Sequence, residues 1–270
     1  MPSSMKKWLG VGLTVTAIVA ALAAPWLAPH DPLRTDFPQS LRPPGTAGHL
    51  LGTDQLGRDL LARVLHGARL ALFIGVCTVV LTAIFGGLLG LVAGFVERWP
   101  SAVLMRIADV QLSFPFILLA MTINTIVGLG LRNTILSLSA AGWVVYARVV
   151  RGEVLSVKQR DYVLAAAALG VSRGRLLFRH VLPNVAPSII VLASLQFSSF
   201  IVAEAAISFL GFGIQPPTPA WGSMLSESRD FLYVAWWLAA FPGAALALTA
   251  LGVNLLGDWL RDTLDPKLRV

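Results

Sequence analysis

Apolar residues fall along this chain in long runs separated by short polar segments, a pattern that predicts helices of membrane-crossing length. A helix of about 20 apolar residues crosses a bilayer. Six runs reach or approach that length. They are Trp8 to Leu27; Ala71 to Val96, which carries no charge; Met105 to Leu129, with Asp109 near its start; the shorter Asn133 to Val150, with Arg148 near its end; Pro187 to Leu210; and Phe231 to Leu256. The expected fold is all-α, a polytopic membrane protein of six transmembrane helices. Gly86, Gly87, Gly90 and Gly94 form a small-residue stripe in the second run. Close helix packing explains such a stripe better than contact with a solute.

The segments between the runs carry most of the local signals. Residues 28–68 are polar and rich in Pro and Gly, with turns at His30-Asp31-Pro32 and Arg42-Pro43-Pro44-Gly45. Thr53 or Asp54 is expected to cap a short helix whose apolar face holds Leu56, Leu60, Leu61 and Val64. That helix is either an interfacial anchor or a docking element for an external partner, offering Asp54, Arg58 and Asp59. The run Gly211 to Gly222 contains Pro216, Pro217 and Pro219 and cannot continue a helix, so it predicts a rigid outer loop. Within it Trp221 reads as an interfacial anchor in preference to a gate lid. The stretch Arg151 to Pro187 is too polar to span and too apolar for a plain loop. Tyr162 to Phe178 reads as helical, because Ala165 to Ala168 favour helix. Gly170 breaks or bends it, and Ser172 caps a second piece over Arg173 to His180. A short apolar-faced helix outside the membrane must bury that face, either beneath its own bundle or in a groove on a soluble partner.

Composition identifies the solvent. The chain is 56% hydrophobic and 13% charged, with a mean hydropathy of +0.74, whereas soluble domains carry about 25% charge. Lipid must surround most of it. The net charge of +7 is therefore read through topology. The basic residues are spread out without aromatic interleaving, which argues against nucleic acid. A cytoplasmic N-terminus places two-thirds of the 21 basic residues in inner segments, among them Lys6, Lys7, Arg98, Lys267 and Arg269. With an even helix count both termini are then cytoplasmic. Lys6, Lys7 and Ala21-Leu22-Ala23 also resemble a cleavable signal peptide. The length of the apolar stretch and Pro25 favour an uncleaved helix. Cys77, the single cysteine, is expected to serve packing.

Polar groups inside spans are costly and so are functional candidates. Glu204, flanked by alanines, is expected in a hydrogen bond at a subunit interface in preference to the solute path. Gln111, Asn124 and Gln196 are candidate pore liners. Asp109 is expected to pair with Arg106 one turn earlier, and His180 to help close the cytoplasmic loop. His30, His49, His66 and His180 lie outside the spans and unclustered in sequence, so no metal set or Ser/His pair is expected and a membrane enzyme is disfavoured. A secondary transporter would need midplane carboxylates and repeated halves; Glu204 is the one clear acid and no duplicated pattern is visible. The chain also lacks a G-x-x-x-x-G-K-[ST] phosphate loop, so it is not itself an ATPase.

Several motifs in fixed order resemble the second membrane subunit of the dipeptide/oligopeptide/nickel permease family of bacterial ABC importers. They are Leu51-Gly52-Thr53-Asp54 with Gly57-Arg58-Asp59; Tyr146-Ala147-Arg148 with Val150-Arg151; Tyr162 through Gly170, ending in Arg179-His180-Val181-Leu182-Pro183-Asn184; Ser208 to Gly213 with Pro216 to Gly222; and Asn254 to Asp258 with Leu260-Arg261-Asp262 and Leu264-Asp265-Pro266. The resemblance implies a type I importer (MetI-like) permease fold in the bacterial inner membrane. It divides the chain into an N-terminal helix and periplasmic segment, 1–69, and a transmembrane core, 70–270, with a cytoplasmic coupling loop at about 151–186. It implies a homologous second permease, two ABC ATPase subunits holding ATP and Mg, and a periplasmic solute-binding protein. The coupling, or EAA, loop maps onto Tyr162, Leu164, Ala165, Ala166, Leu169, Gly170 and Leu176. The family's usual glutamate is Leu164 here, so that ionic contact is not carried over. Dipeptides, longer peptides, glutathione, opines and nickel complexes all remain open as cargo.

Overall fold

The computed structural model describes residues 3–96 and 99–264. Arg98, Lys267, Arg269 and Asp265-Pro266 lie outside the described residues. The described chain is helical, without a β-strand. In order come α1 (Ser3–Leu27), α2 (Leu60–Phe95), α3 (Trp99–Leu112), α4 (Phe116–Val127), α5 (Leu131–Lys158), α6 (Asp161–Ala168), α7 (Arg173–Arg175), α8 (Leu182–Phe209), α9 (Trp221–Glu227) and α10 (Trp237–Leu264). A π-helical segment, Leu176–Val181, joins α7 to α8.

Small residues set the helix directions. A Cβ on Gly90 would lie 2.6 Å from the Ala147 carbonyl, and one on Gly94 would lie 2.6 Å from Val154 Cβ. Gly86 packs against Trp143 and Tyr146 in the same register, so α2 and α5 run parallel. Gly87 is different: its nearest neighbour is Ile189 on α8, at 3.9 Å. Gly75 meets Phe197 and Ile201, so α8 runs antiparallel to α2. Gly10 against Leu255 and Leu256, with Gly252 against Leu13, pairs α1 with α10. One end of the bundle therefore gathers the start of α1, the end of α2, α6 and the end of α10. The opposite end gathers residues 28–59 and α9.

Among the described residues, four helical stretches are long and apolar enough to cross a membrane: Met5–Leu27, Leu60–Phe95, Arg173–Phe209 and Trp237–Thr263. The pair α3 and α4, bent by 94°, makes a fifth if counted as one span. The expected run from Met105 to Leu129 is thus broken, because Pro115 cannot donate the bond that would continue α3. The pair still climbs back along α5: Ser101 meets Arg151, Asp109 meets Arg148, Gln111 meets Ala140 and Ala141, and Asn124 meets Ser137. The fourth expected span is longer than the sequence suggests. α5 has 28 residues and continues to Lys158, past Arg148 and Arg151, but these charges leave it less apolar than the four.

Two further boundaries differ from expectation. α2 starts at Leu60, with Asp59 as its cap, the carboxylate accepting from Ala62 N at 2.8 Å. Leu60, Leu61 and Val64 of the expected short helix belong to α2 itself, and residue 69 lies inside it. α10 starts at Trp237, since Arg229–Phe231 forms its own 3-10 turn. Large apolar side chains such as Trp26, Phe73, Ile84 and Leu118 stand exposed on the long helices, as lipid contact requires.

Candidate functional site

At the α6 end, Gly170 adopts a left-handed conformation, φ +80°. It closes α6 with bonds from Gly170 N to Ala167 O and from Val171 N to Ala166 O, the reversal that favours glycine just past a helix end. The chain restarts at Ser172, which occupies the cap position of α7 without a side-chain cap bond. α6 is held from one side only. Val163 is buried and joins a cluster with Val150, Val154 and Val157 of α5 and with Leu176, Val181 and Val185. The other face is bare: Tyr162, Leu164 and Leu169 are exposed, Leu169 at 86%, and Ala165 and Gly170 are exposed beside them. Ala166 is half-buried against the cluster. Leu176 of the coupling loop is buried at the base, where it ties the π-helical segment to α6.

At the opposite end, residues 28–59 fold into a cap. Gly57, φ +73°, turns so close to the Asp36 carbonyl that a side chain would collide. Thr53 links strands of the loop by donating to the Gln39 carbonyl and accepting from Arg42 N. Beneath the cap lies a four-membered ion ring. Arg58 contacts Asp54 at 2.6 Å and Glu227 at 3.0 Å, and Arg63 contacts Asp54 at 3.3 Å and Glu227 at 3.2 Å. Alternating signs compensate all four charges, which makes burial of both guanidiniums tolerable. The ring joins the cap, the first turn of α2 and the end of α9.

Asp54, Arg58, Asp59 and Trp221 are all buried. Each is bonded to a partner within the chain. The Trp221 ring lies on Gly67, and its Nε1 donates to the Val64 carbonyl at 3.0 Å. Arg63 and Glu227 were missed as a pair because they are 164 residues apart.

The polar residues within the helices separate into two groups. Glu204 and Asn124 are buried inside the chain. Glu204 accepts from Ser208 Oγ at 2.7 Å, and that same oxygen accepts from Ile214 N at 3.0 Å, anchoring the loop after α8. Asn124 donates to the Phe212 carbonyl at 2.7 Å and to Thr134, and accepts from Ser137. Both therefore hold that loop through bonds within the chain. Gln111 and Gln196 instead line one cavity of about 210 Å³ with Phe114, Ser199 and Phe200. Gln111 is oriented there by bonds to the Ala140 and Ala141 carbonyls and from Trp143 Nε1. Asp109 pairs with Arg148, not Arg106, because α5 lies alongside α3. His180 lies in the π-helical segment, where its carbonyl accepts from Asn184 Nδ2. His30 and His49, unclustered in sequence, meet at Asp59.

A family model described as binding-protein-dependent transport system inner membrane component matches residues 86–270. The chain is similar to a di/tripeptide transport system permease protein of Pseudomonas aeruginosa, 46% identical over 96% of this chain and 88% of the relative. It is 44% identical to a dipeptide transport system permease protein of Escherichia coli, over 96% of this chain and 89% of the relative. It is 41% identical to a glutathione transport system permease protein of Pectobacterium atrosepticum, over 97% and 87% respectively.

Proposed function

Because this chain belongs to the binding-protein-dependent transport system inner membrane component family, we propose that it is a permease subunit of an ATP-driven importer carrying di- or oligopeptides across the bacterial inner membrane. The observation that carries the mechanism is α6: an eight-residue helix fastened by Val163 and bare on the face of Tyr162, Leu164 and Leu169. Bare apolar surface of this kind, on the same end as the N-terminus, suits insertion into a groove on a soluble partner. That partner is the ATPase, which holds ATP and Mg. Both termini and α6 are cytoplasmic. α1, α2, the bent pair, α5, α8 and α10 each cross the membrane once.

Closure of two ATPase subunits moves α6. The valine cluster transmits the motion to α5 and, through the π-helical segment, to α8. A homologous second permease completes the path, and the pair rocks between inward- and outward-facing states. Gln111 and Gln196 line the stretch of that path contributed by this chain. With Leu164 in place of glutamate, docking at this position rests on apolar burial. The periplasmic binding protein sits on the end formed by the cap and α9, and it does most of the cargo selection. Glutathione, the cargo named for one relative, is peptide-like enough to use the same path.

Leu164→Asp with Leu169→Asp tests the docking. Burial of each leucine contributes about 1.5–3 kcal/mol, so the double variant is expected to lose ATPase subunits from the purified complex about a hundredfold or more. The fold is expected to survive, because both side chains are exposed. Uptake into proteoliposomes that persists without any ATPase partner would contradict the importer. Stimulation of ATP hydrolysis by glutathione but by no dipeptide would reassign the cargo.

A further inference from the structure

We propose that His30, His49 and Asp59 form a binding site for a divalent transition metal, zinc being the best match, which staples the end of α1 to the start of α2. The three residues come from separate turns. His30 follows the last turn of α1, where Asp31 Oδ1 accepts from Leu33 N at 2.8 Å. His49 closes a turn by bonding its N to the Thr46 carbonyl at 2.8 Å. Asp59 is the cap of α2. Their ligating atoms all lie within 4.8 Å of one another.

The carboxylate divides its work. Oδ1 accepts from Ala62 N, which fixes the group, and Oδ2 faces both imidazoles. His49 Nδ1 is 2.7 Å from Oδ2, a hydrogen bond. His30 Nδ1 is 3.5 Å away, is buried, and has no hydrogen-bond partner among the described residues. The two rings stack loosely, with centroids 4.8 Å apart and a tilt of 31°. The His49–Asp59 bond thus accounts for one imidazole and leaves the other aimed at an already occupied oxygen.

A cation between the three groups satisfies that orphan nitrogen. Zinc takes nitrogen and oxygen ligands at about 2.0–2.1 Å in a tetrahedron, so its ligand atoms sit about 3.4 Å apart. The His30–Asp59 separation already fits; His49 and Asp59 need to part by several tenths of an ångström. Each histidine then carries its proton on Nε2 and offers the Nδ1 lone pair. Two imidazoles and one carboxylate disfavour calcium and magnesium, which take all-oxygen sets. The fourth zinc position is left for water.

The test uses the whole importer complex, purified without a histidine tag and stripped with chelator. Zinc titrated into it should bind at one more site per complex than in a His30→Gln variant. His30→Gln suits the purpose because that ring makes no hydrogen bond among the described residues. Bound zinc should raise the thermal unfolding midpoint of the wild type, and His30→Gln should weaken binding at least tenfold. Zinc-edge X-ray absorption on the wild type alone should report two imidazole nitrogens and oxygen in the first shell. Equal zinc content in wild type and variant, or a first shell without imidazole, would overturn the proposal.

Discussion

Gly90→Ala isolates the helix contact on which the bundle is built. The new Cβ would stand 2.6 Å from the Ala147 carbonyl oxygen and 2.8 Å from Val150 Cβ. Comfortable separations begin near 3.5 Å, so α2 and α5 would have to part locally by somewhat under about 1 Å. Overpacking of this degree costs about 1–3 kcal/mol. The better helix propensity of alanine offsets up to about 1 kcal/mol of that. Gly87→Ala is the matched control, since its nearest neighbour is a flexible Ile189 methyl at 3.9 Å; only the propensity gain should remain. In a protein of this size about 1 kcal/mol moves the unfolding midpoint by roughly 2–4 °C. Thermal unfolding of the purified complex in detergent should place Gly90→Ala about 2–12 °C below Gly87→Ala. Equal midpoints for the two variants would refute the assignment of Gly90 to the α2–α5 seam.

Other positions give sharp expectations. Glu227→Gln leaves Arg58 and Arg63 sharing Asp54. Breaking a buried ion set in this way costs about 3–5 kcal/mol, and the 19% exposure of the Glu227 side chain points to the lower end. Denaturant titration checks it, and replacing Arg63 and Glu227 together by Met should recover much of the loss. Asn124→Ala frees the Phe212 carbonyl and strands Thr134 and Ser137, at about 1–3 kcal/mol for each group left unpaired. Faster proteolysis at residues 211–220 would report it.

Much of this architecture was legible in the sequence, and the misreadings have specific causes. Apolar runs located α1, α2, α8 and α10 because hydropathy depends on local composition. The α3–α4 bend was signalled by Pro115, but the apolar residues on both sides of it hid the break. α5 seemed to stop near Arg148 because a charge reads as an interface; in the fold Asp109 meets that charge. Thr53 and Asp54 were the caps expected, but the helix starts later, with Asp59 at its cap. Asp54 instead belongs to the ion ring, whose closure by Glu227 across the fold local rules cannot show. Gly170 and Ser172 were read correctly as break and restart because those roles depend on local backbone geometry. Trp221 was misread because only the tertiary fold reveals the slot above Gly67. The same holds for the meeting of His30 with His49 across two turns.

Coupling to an ATPase requires the bare face of α6 to lie on the cytoplasmic side of the membrane. A cysteine in place of Leu169, in a Cys77→Ser background, can be labelled with a membrane-impermeant maleimide in vesicles of either orientation. Labelling is expected only in inside-out vesicles, and adding the ATPase subunits should suppress it. Labelling in right-side-out vesicles would contradict the coupling of this permease to ATP.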